Sequence, residues 1–288
     1  MLTFIVNPKA GNGLALRVEA LLRQTLERQG IRHRLLRTER PGHATDLARR
    51  AAAQKGCDGV VSVGGDGTAY EVACGLLDSG VPLGIIPAGT GNDFIKTIKT
   101  PAKPLDALNF ILTHPARPVD VGRLNDRLFL NVCGTGFDVQ VLDGTLAAKK
   151  YVRGILPYLV GLFRAIFHYK PVHVALSVDD RELEQDALVC SIANGRYIGG
   201  GIPICPEAKP DDGLLDLVIV ENKPKRLIPL YLPGLLLGRV LRFKITSHVR
   251  CRKIRLVSPG MRVNVDGEIF PMDEADFAAL PGKLLLYW

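Results

Sequence analysis

Two hydrophobic periods alternate along the first half of the chain. An apolar run over 2–6 predicts a short strand, and apolar residues at helical spacing from Leu14 to Leu26 predict a helix over 14–29. The alternation continues with predicted strands over 32–37, 59–63 and 83–87, and predicted helices over 43–55 and 69–77. Strands that alternate with helices indicate an α/β fold with a doubly wound, mostly parallel sheet.

The pattern changes beyond Pro118. Strand-like segments follow one another at 128–133, 172–178, 187–193, 214–220 and 250–257, with one helical segment predicted over 151–167. Asp179-Asp180 and Pro259-Gly260 each separate two such runs and read as hairpin turns. The second half is therefore predicted to be mainly antiparallel.

Three glycine-rich polar loops follow predicted strands of the first half. They are Asn7-Pro8-Lys9-Ala10-Gly11-Asn12-Gly13, Gly64-Gly65-Asp66-Gly67-Thr68 and Ala88-Gly89-Thr90-Gly91-Asn92-Asp93. Because parallel strands end at one edge of a sheet, we expect these loops to line one crevice. Glycines let the backbone approach an anion, and the helix after Thr68 directs unpaired N–H groups toward it. The spacing predicts a phosphate site, and Asp66 within it indicates a metal-bound nucleotide. The alternative is an ordinary helix start that Asp66 or Thr68 caps.

Composition and charge limit the classes of partner that the protein is expected to bind. The 288 residues are 47% hydrophobic and 23% charged, which is typical of a globular protein, and the net charge of +8 favours an anionic partner. Aromatic residues make up only 6% and no nucleic-acid-binding motif occurs, so no nucleic acid is expected. The six cysteines and six histidines show no metal-ligand spacing, which favours reduced thiols in a cytoplasmic chain.

No membrane-spanning helix is predicted. The most apolar window, 227–243, is interrupted by prolines, glycines and arginines and falls short of the roughly 18 apolar residues that a span needs. The N-terminus begins as a strand rather than as a signal peptide, so secretion is not expected. Two segments are candidates for peripheral contact with an anionic membrane, with burial in the core as the alternative. They are 151–167 with Lys149, Lys150, Arg153 and Arg164, and 227–243 with Lys225, Arg226 and Lys244.

The loop motifs occur in an order that resembles a known family. Beside the Asn-Pro-x-x-Gly opening, Gly-Gly-Asp-Gly-Thr and Gly-Thr-Gly-Asn-Asp-Phe, the chain carries Pro118-Val119-Asp120-Val121-Gly122, Gly134-Thr135-Gly136-Phe137-Asp138, Asp212-Gly213-Leu214-Leu215-Asp216 and Val265-Asp266-Gly267-Glu268. In these motifs the chain resembles the bacterial diacylglycerol kinase-like lipid kinases over essentially its whole length. The resemblance implies an α/β nucleotide-binding domain over 1–122, to which a tail of about 277–288 returns, and a β-sandwich lipid-acceptor domain over 123–276.

The resemblance also implies ATP- and magnesium-dependent phosphorylation of a lipid hydroxyl. It assigns the ATP contacts to Asn7, Pro8, Lys9, Ala10, Gly11, Thr38, Gly65, Asp66, Gly67, Thr68, Ala69, Tyr70, Glu71, Thr90 and Asp93. Asp66, Asp93 and Asp120 would form the acidic, magnesium-linked centre. Glu268, beside Asp266, would take the proton from the attacking hydroxyl. A second, structural magnesium would bind the Asp212 carboxylate and the main-chain oxygens of Lys209 and Leu214.

The sequence is compatible with several alternatives. Asp266-Gly267 and Asp212-Gly213 are also ordinary turn sequences, in which the carboxylates need no catalytic role. The nearest enzymatic rival is NAD kinase, which shares the Gly-Gly-Asp-Gly loop. Tyr70 and Asn12 depart from the residues common in relatives and leave open a nucleotide-binding regulatory protein without turnover. The identity of the lipid alcohol and the choice between monomer and homodimer are not set by the sequence.

Overall fold

A parallel sheet forms the N-terminal part of the protein. The computed structural model describes residues 1–148, 151–152, 156–168 and 170–288. The chain divides into two units, the first made of Met1–Val121 and Pro281–Trp288 and the second of Gly122–Leu280.

The first unit alternates strands and helices. Its elements are β1 (Leu2–Val6), α1 (Leu14–Arg28), β2 (His33–Arg37), α2 (His43–Ala52), β3 (Gly59–Gly64), α3 (Asp66–Leu76), β4 (Leu83–Pro87), α4 (Asp93–Thr97) and α5 (Pro104–Thr113). The strands pair in parallel in the order β2-β1-β3-β4, and Leu286 adds the end of the chain beside Leu83 of β4. This is the α/β, doubly wound arrangement that the sequence predicts.

The core of this unit follows from the near-continuous apolar strands. Parallel strands are covered on both faces, so β1 and β3 bury almost every residue. One face of α1 packs onto them through Val18, Leu22 and Leu26, which are 3% exposed or less.

The second unit is a mainly antiparallel β-sandwich with helices. It contains β5 (Ala116–Leu124, shared with the first unit), β6 (Arg127–Phe129), β7 (Val132–Gly136), α6 (Phe137–Ala148), α7 (Leu156–His168), β8 (Val172–Val178), β9 (Arg181–Ala193), β10 (Tyr197–Ile198), β11 (Ile202–Pro203), β12 (Leu215–Glu221), α8 (Ile228–Leu236), β13 (Thr246–Cys251), β14 (Lys253–Val265) and β15 (Glu268–Tyr287, which ends in the first unit).

Two long strands join the layers of the sandwich. The first half of β9 pairs with β8 and its second half with β7, and β14 divides its pairing between the same two partners. The sandwich core lies between the two layers and includes Leu176, Ile192 and Leu256, all 1% exposed or less. A second apolar cluster joins the other face of β12 to residues of α7 and α8.

Some predicted boundaries are wrong. Pro259-Gly260 is not a hairpin turn, because β14 runs through it and only its register against β15 shifts between Val257 and Met261. The N–H of Gly260 donates to Asp273 Oδ1 at 2.7 Å, which holds this bulge in place. The predicted strand over 250–257 is likewise divided, between β13 and β14.

The helices of the second unit exceed the single predicted one. Helix α6 precedes the predicted segment and α8 follows β12, while the predicted segment itself is helical over Leu156–His168. Lys149, Lys150 and residues 153–155, which belong to that prediction, lie outside the described residues.

In the first unit, α3 begins at Asp66, three positions before the predicted start, so the aspartate belongs to its first turn. Among the residues described, no helix is long and apolar enough to cross a membrane.

Candidate functional site

The strand order of the first unit reverses between β1 and β3. Strand β2 lies on one side of β1, while β3 and β4 lie on the other. In open α/β sheets ligands bind beyond the carboxyl ends of the strands at such a reversal. The loops that begin at Asn7 and at Gly65 leave the sheet at this point.

The first loop is fixed to the other two by specific contacts. Asn7 Nδ2 donates to Thr68 Oγ1 at 3.1 Å, and Asn7 Oδ1 accepts the N–H of Lys9 at 3.1 Å. Gly11 has a φ of +59°, and a Cβ on it would lie 2.3 Å from the carbonyl oxygen of Ala88. Only glycine allows this approach, so the structure brings the three predicted loops together.

The second loop presents backbone N–H groups at the start of α3. Gly65 precedes the helix and has no side chain to cap it. A Cβ on Gly89 would lie 2.3 Å from the Cα of Gly65, so these two glycines let the second and third loops touch. A Cβ on Gly67 would meet no atom within 4 Å of it, which leaves open space above the first turn. Uncapped N–H groups beside open space have the chemistry that suits an anion.

Asp66 and Asp93 bring two negative charges together beside this turn. Asp66 Oδ1 accepts the N–H of Phe94 at 3.1 Å, at the start of α4. Burial raises the pKa of Asp66, and the charge of Asp93 raises it further. Asp93 pairs with Lys96, whose Nζ lies 2.9 Å from Asp93 Oδ1. A divalent cation would neutralise two neighbouring carboxylates, so these residues fit a magnesium ion that binds a nucleotide.

The other predicted nucleotide contacts have different surroundings. Thr38 follows β2 and its N–H donates to the carbonyl of Val6 at 2.9 Å, next to the first loop. Thr90 is exposed, and Ala69 and Tyr70 lie in the early turns of α3. Pro8 and Ala10 lie on the first loop beside Lys9.

Glu71 already has backbone partners. Its two carboxylate oxygens accept the N–H groups of Gly42 and Ala44 at 3.0 Å each, so it caps the start of α2. This contact explains the presence of an acid here without a nucleotide. The capping of α2 is a role that the resemblance did not imply.

Asp120 lies on β5 and is 3% exposed. Its Oδ1 accepts the N–H of Gly282 at 2.8 Å, so the returning C-terminal segment is tied to it.

In the second unit, Asp266 and Glu268 lie on the turn between β14 and β15. Asp266 has a φ of +47° and Gly267 of +99°, which is a turn with two left-handed residues. The carboxylate of Asp266 accepts the N–H groups of Leu130, Asn131 and Val132 at 2.7 to 3.0 Å. Glu268 is exposed. The two acids therefore differ in kind, since one holds the turn and the other projects from it.

A partly buried acid, Asp138, is linked to this turn by hydrogen bonds through Asn264. Asn264 Oδ1 accepts the N–H of Gly267 at 2.9 Å, and Asn264 Nδ2 donates to Asp138 Oδ2 at 3.4 Å. Burial raises the pKa of Asp138 to about 6. These two hydrogen bonds, from Asp138 to Asn264 and from Asn264 to Gly267, thus link the start of α6 to the turn that carries Glu268.

The loop from Lys209 to Leu214 has the oxygen ligands that magnesium prefers. Arg250 would compete with the ion for the Asp212 carboxylate. Asp212 forms an ion pair with Arg250, and its Oδ1 accepts the N–H of Leu214 at 3.1 Å. A carboxylate oxygen has two lone pairs, so these contacts leave acceptor capacity for a cation. Arg250 neutralises part of the charge that would attract it.

Comparison with known proteins identifies the family. The Diacylglycerol kinase catalytic domain family matches residues 1–124, and the YegS C-terminal NAD kinase beta sandwich-like domain family matches residues 131–288, more than half of the chain. The chain belongs to the diacylglycerol kinase-like lipid kinases.

Individual relatives agree with this membership. A YegS-like lipid kinase from Xanthomonas oryzae is 32% identical over 98% of this chain and 94% of its own length. A diacylglycerol kinase from Mycobacterium tuberculosis is 29% identical over 98% of this chain and 93% of its own. A crystal structure of a diacylglycerol kinase from Bacillus anthracis has a TM-score of 0.75 and 25% identity, and covers 100% of this chain and 96% of that one. Membership in this lipid kinase family makes the protein a phosphotransferase with an alcohol group as acceptor.

Two side chains of this lipid kinase were not singled out from the sequence. Lys96 pairs with Asp93 across one helical turn, and the i,i+3 spacing of acid and base was the available signal. The role of Asn264 could not be predicted from the sequence, because the fold brings its partners Asp138 and Gly267 to it.

Proposed function

We propose that this lipid kinase transfers the γ-phosphate of ATP to the hydroxyl of a diacylglycerol-like lipid, with magnesium. The observation that carries the proposal is the convergence of three glycine-rich loops at the strand reversal, with Asp66 and Asp93 beside an uncapped helix start. Phosphoryl transfer asks a protein mainly for positioning and charge neutralisation, which suits backbone N–H groups and paired carboxylates.

The nucleotide is assigned to the three loops of the first unit. The backbone of Gly65 to Thr68 would hold its phosphates, and Lys9 adds a positive charge on the exposed first loop. The complete set of proposed contacts is Asn7, Pro8, Lys9, Ala10, Gly11, Thr38, Gly65, Asp66, Gly67, Thr68, Ala69, Tyr70, Glu71, Thr90 and Asp93. Glu71 would act from its capping position rather than through a free carboxylate.

Magnesium would be held by Asp66 and Asp93, with Asp120 as a third acid. Bound there, it would neutralise the charge that develops on the transferred phosphoryl group. In its absence the raised pKa of Asp66 reflects burial and repulsion from Asp93. A second magnesium is proposed for Asp212 with the main-chain oxygens of Lys209 and Leu214, where it would compete with Arg250.

Glu268 is the proposed proton acceptor for the attacking hydroxyl. It is exposed, and within the described part of the chain its side chain has no hydrogen bond or ion pair, so its carboxylate is available. The two carboxylate oxygens of Asp266 accept hydrogen bonds from three backbone N–H groups. Asp266 would therefore position the turn rather than accept the proton.

A lipid acceptor is supported by exposed apolar side chains of the second unit. On α7, Leu156, Val160, Phe163 and Phe167 recur every three or four positions and are 47% to 69% exposed. Such spacing places them on one face of the helix. We therefore propose peripheral contact with an anionic membrane, from which the lipid would enter.

Transfer of labelled γ-phosphate from ATP into the solvent-extractable fraction of a mixed-lipid panel tests the proposal. We expect label in one lipid alcohol of the wild-type reaction and its loss when magnesium is chelated. Asp66→Asn should lower the rate at least about 100-fold, because charge stabilisation is removed. Glu268→Gln should lower it by about 100- to 10,000-fold, because the base is removed.

Matched variants separate these effects from general damage. Asp106→Asn also removes an acid from the first turn of a helix, and Glu182→Gln removes an exposed acid of the sandwich. Both should keep the wild-type rate. In a parallel reaction that contains NAD, label in aqueous NADP and none in lipid would favour the NAD kinase alternative. ATP binding without transfer to any alcohol would favour a regulatory protein. Full activity in Asp66→Asn would refute the proposed magnesium site.

A further inference from the structure

Three potential metal ligands that are distant in sequence meet in the second unit. Cys205 Sγ, a carboxylate oxygen of Asp216 and an imidazole nitrogen of His248 all lie within 4.8 Å of one another. Cys205 and Asp216 are fully buried, and His248 is partly buried. The nucleotide and lipid chemistry described above uses none of the three.

The sandwich fixes the positions of these ligands. Strands β12 and β13 are antiparallel, with Val218 opposite His248 and Asp216 opposite Arg250. Because alternate residues share a face, Asp216 and His248 lie on the same side of the sheet. Cys205 lies in the segment before β12, where its N–H donates to the carbonyl of Arg196 at 3.2 Å.

Asp216 lacks one partner that a buried carboxylate requires. His248 Nε2 lies 2.6 Å from Asp216 Oδ1, and Arg250 Nε lies 3.9 Å from the same oxygen. Asp216 Oδ2 is buried and has no hydrogen-bond partner among the described residues. Buried polar atoms nearly always have a hydrogen-bond partner or a bound ion, so we expect this oxygen to bind a ligand.

We propose that Cys205, Asp216 and His248 bind a divalent cation of the zinc class. Thiolate, imidazole and carboxylate are the three ligand types that zinc uses in proteins, and three protein ligands leave a fourth position for water. Magnesium prefers an all-oxygen shell and is disfavoured by the sulfur. Tetrahedral zinc with ordinary bond lengths sets its ligand atoms about 3.4 Å apart. The short contact between His248 and Asp216 would therefore open slightly.

Binding involves a defined proton balance. Burial and the neighbouring Asp216 charge raise the pKa of Cys205, so the free protein holds the thiol in its protonated form. The cation forms a bond to sulfur, the S–H bond breaks, and the proton leaves to solvent. A neutral His248 that binds the cation through Nε2 carries its ring proton on Nδ1, so no further proton is released there.

This site is different from the oxygen-lined loop nearby. The loop would use Asp212 and two carbonyl groups, whereas the proposed site uses sulfur, nitrogen and one carboxylate. Arg250 contacts both Asp212 and Asp216, so the two sites are neighbours that select different classes of cation.

Cobalt titration of the metal-stripped, full-length protein tests the proposal. Co²⁺ replaces zinc in such sites, and its bond to a thiolate has a charge-transfer absorption that oxygen sites lack. We expect one equivalent to produce this absorption and zinc to abolish it by displacement. Cys205→Ser should remove the thiolate absorption, and His248→Gln should weaken cobalt binding at least about tenfold.

Two controls identify the ligand. Cys57→Ser changes a thiol of the first unit, and Asp212→Asn changes the neighbouring loop. Both should retain the thiolate absorption. A wild-type titration without this absorption, or an absorption that survives in Cys205→Ser, would overturn the proposal.

A measurement on the wild type alone covers the case in which a variant fails to fold. X-ray absorption at the zinc edge of the zinc-loaded protein should show one sulfur in the first coordination shell. A shell of nitrogen and oxygen alone would reject the site.

Discussion

Individual acids of this lipid kinase are distinguished by what surrounds them. Glu268 is exposed, while Asp138 is partly buried with its carboxylate Oδ1 out of solvent, and its pKa rises to about 6 because burial of the carboxylate disfavours the charged form. Sequence alone gives both residues the same chemistry. The environment of Glu268 leaves its carboxylate accessible to solvent, whereas that of Asp138 makes it a cost to stability at neutral pH.

The raised pKa of Asp138 predicts a loss of stability as pH rises. Its ordinary value is 3.8, so the folded state binds the proton more tightly than the unfolded state does. This contribution is complete below pH 3.8 and disappears as pH rises through about 6. Between pH 5 and pH 7.5 we expect Asp138 to cost the wild type about 1.4 kcal/mol of unfolding free energy.

Denaturant unfolding at these two pH values measures the effect. Asp138→Asn has no titrating group there, so it should lose about 1.4 kcal/mol less than the wild type between them. Asp143→Asn on the same helix removes an acid that is 41% exposed and pairs with Arg262, and it should follow the wild type. An equal pH dependence in Asp138→Asn and wild type would contradict the raised pKa of Asp138.

At the scale of the element, we expect variants of the turn between β14 and β15 to separate effects on stability from effects on activity. Asp266 accepts three backbone N–H groups, and hydrogen bonds to a charged acceptor are the stronger ones. We expect Asp266→Ala to lower the free energy of unfolding by about 3 kcal/mol. Glu268→Gln should change it by less than about 0.5 kcal/mol, because an exposed side chain without partners contributes little.

Equilibrium unfolding of both variants, measured beside their kinase rates, checks this separation. Asp266→Asn keeps one acceptor oxygen and should be intermediate in stability. Wild-type stability of Asp266→Ala would show that the three contacts do not hold the turn. A large loss of stability in Glu268→Gln would make it a structural residue.

Local periodicity predicts elements well and their partners poorly. The helix and strand periods of the first half are local, so the parallel sheet and its loops could be predicted from sequence. Pro259-Gly260 could not be resolved, because a turn and a bulge have the same residues and differ only in the pairing of β14 with β15. The capping of α2 by Glu71 and the contact of Asp138 with Asn264 were equally inaccessible, since each depends on a long-range contact.

At the scale of the whole molecule, the second unit leaves an apolar surface uncovered. The side chains of Leu156, Val160, Phe163 and Phe167 form one face of α7, and Lys225 Nζ lies 3.5 Å from the carbonyl of Phe167. The stretch that leads into α8 therefore begins beside the end of α7 and brings Lys225 and Arg226 with it. Exposed apolar groups next to basic ones are typical of contact with an anionic membrane.

Flotation with anionic vesicles tests whether this surface holds the kinase at a membrane. Burying a phenylalanine contributes roughly 1.5–3 kcal/mol, so replacing Phe163 and Phe167 together by aspartate should weaken binding by more than about tenfold. Reversal of charge at Lys225 and Arg226 should weaken it on anionic vesicles and leave any binding to neutral vesicles unchanged, because only the electrostatic attraction is lost. Leu21→Asp alters a leucine of α1 that is 40% exposed and should float like the wild type. Undiminished flotation of both the phenylalanine and the charge-reversal variants would exclude this surface as the membrane contact.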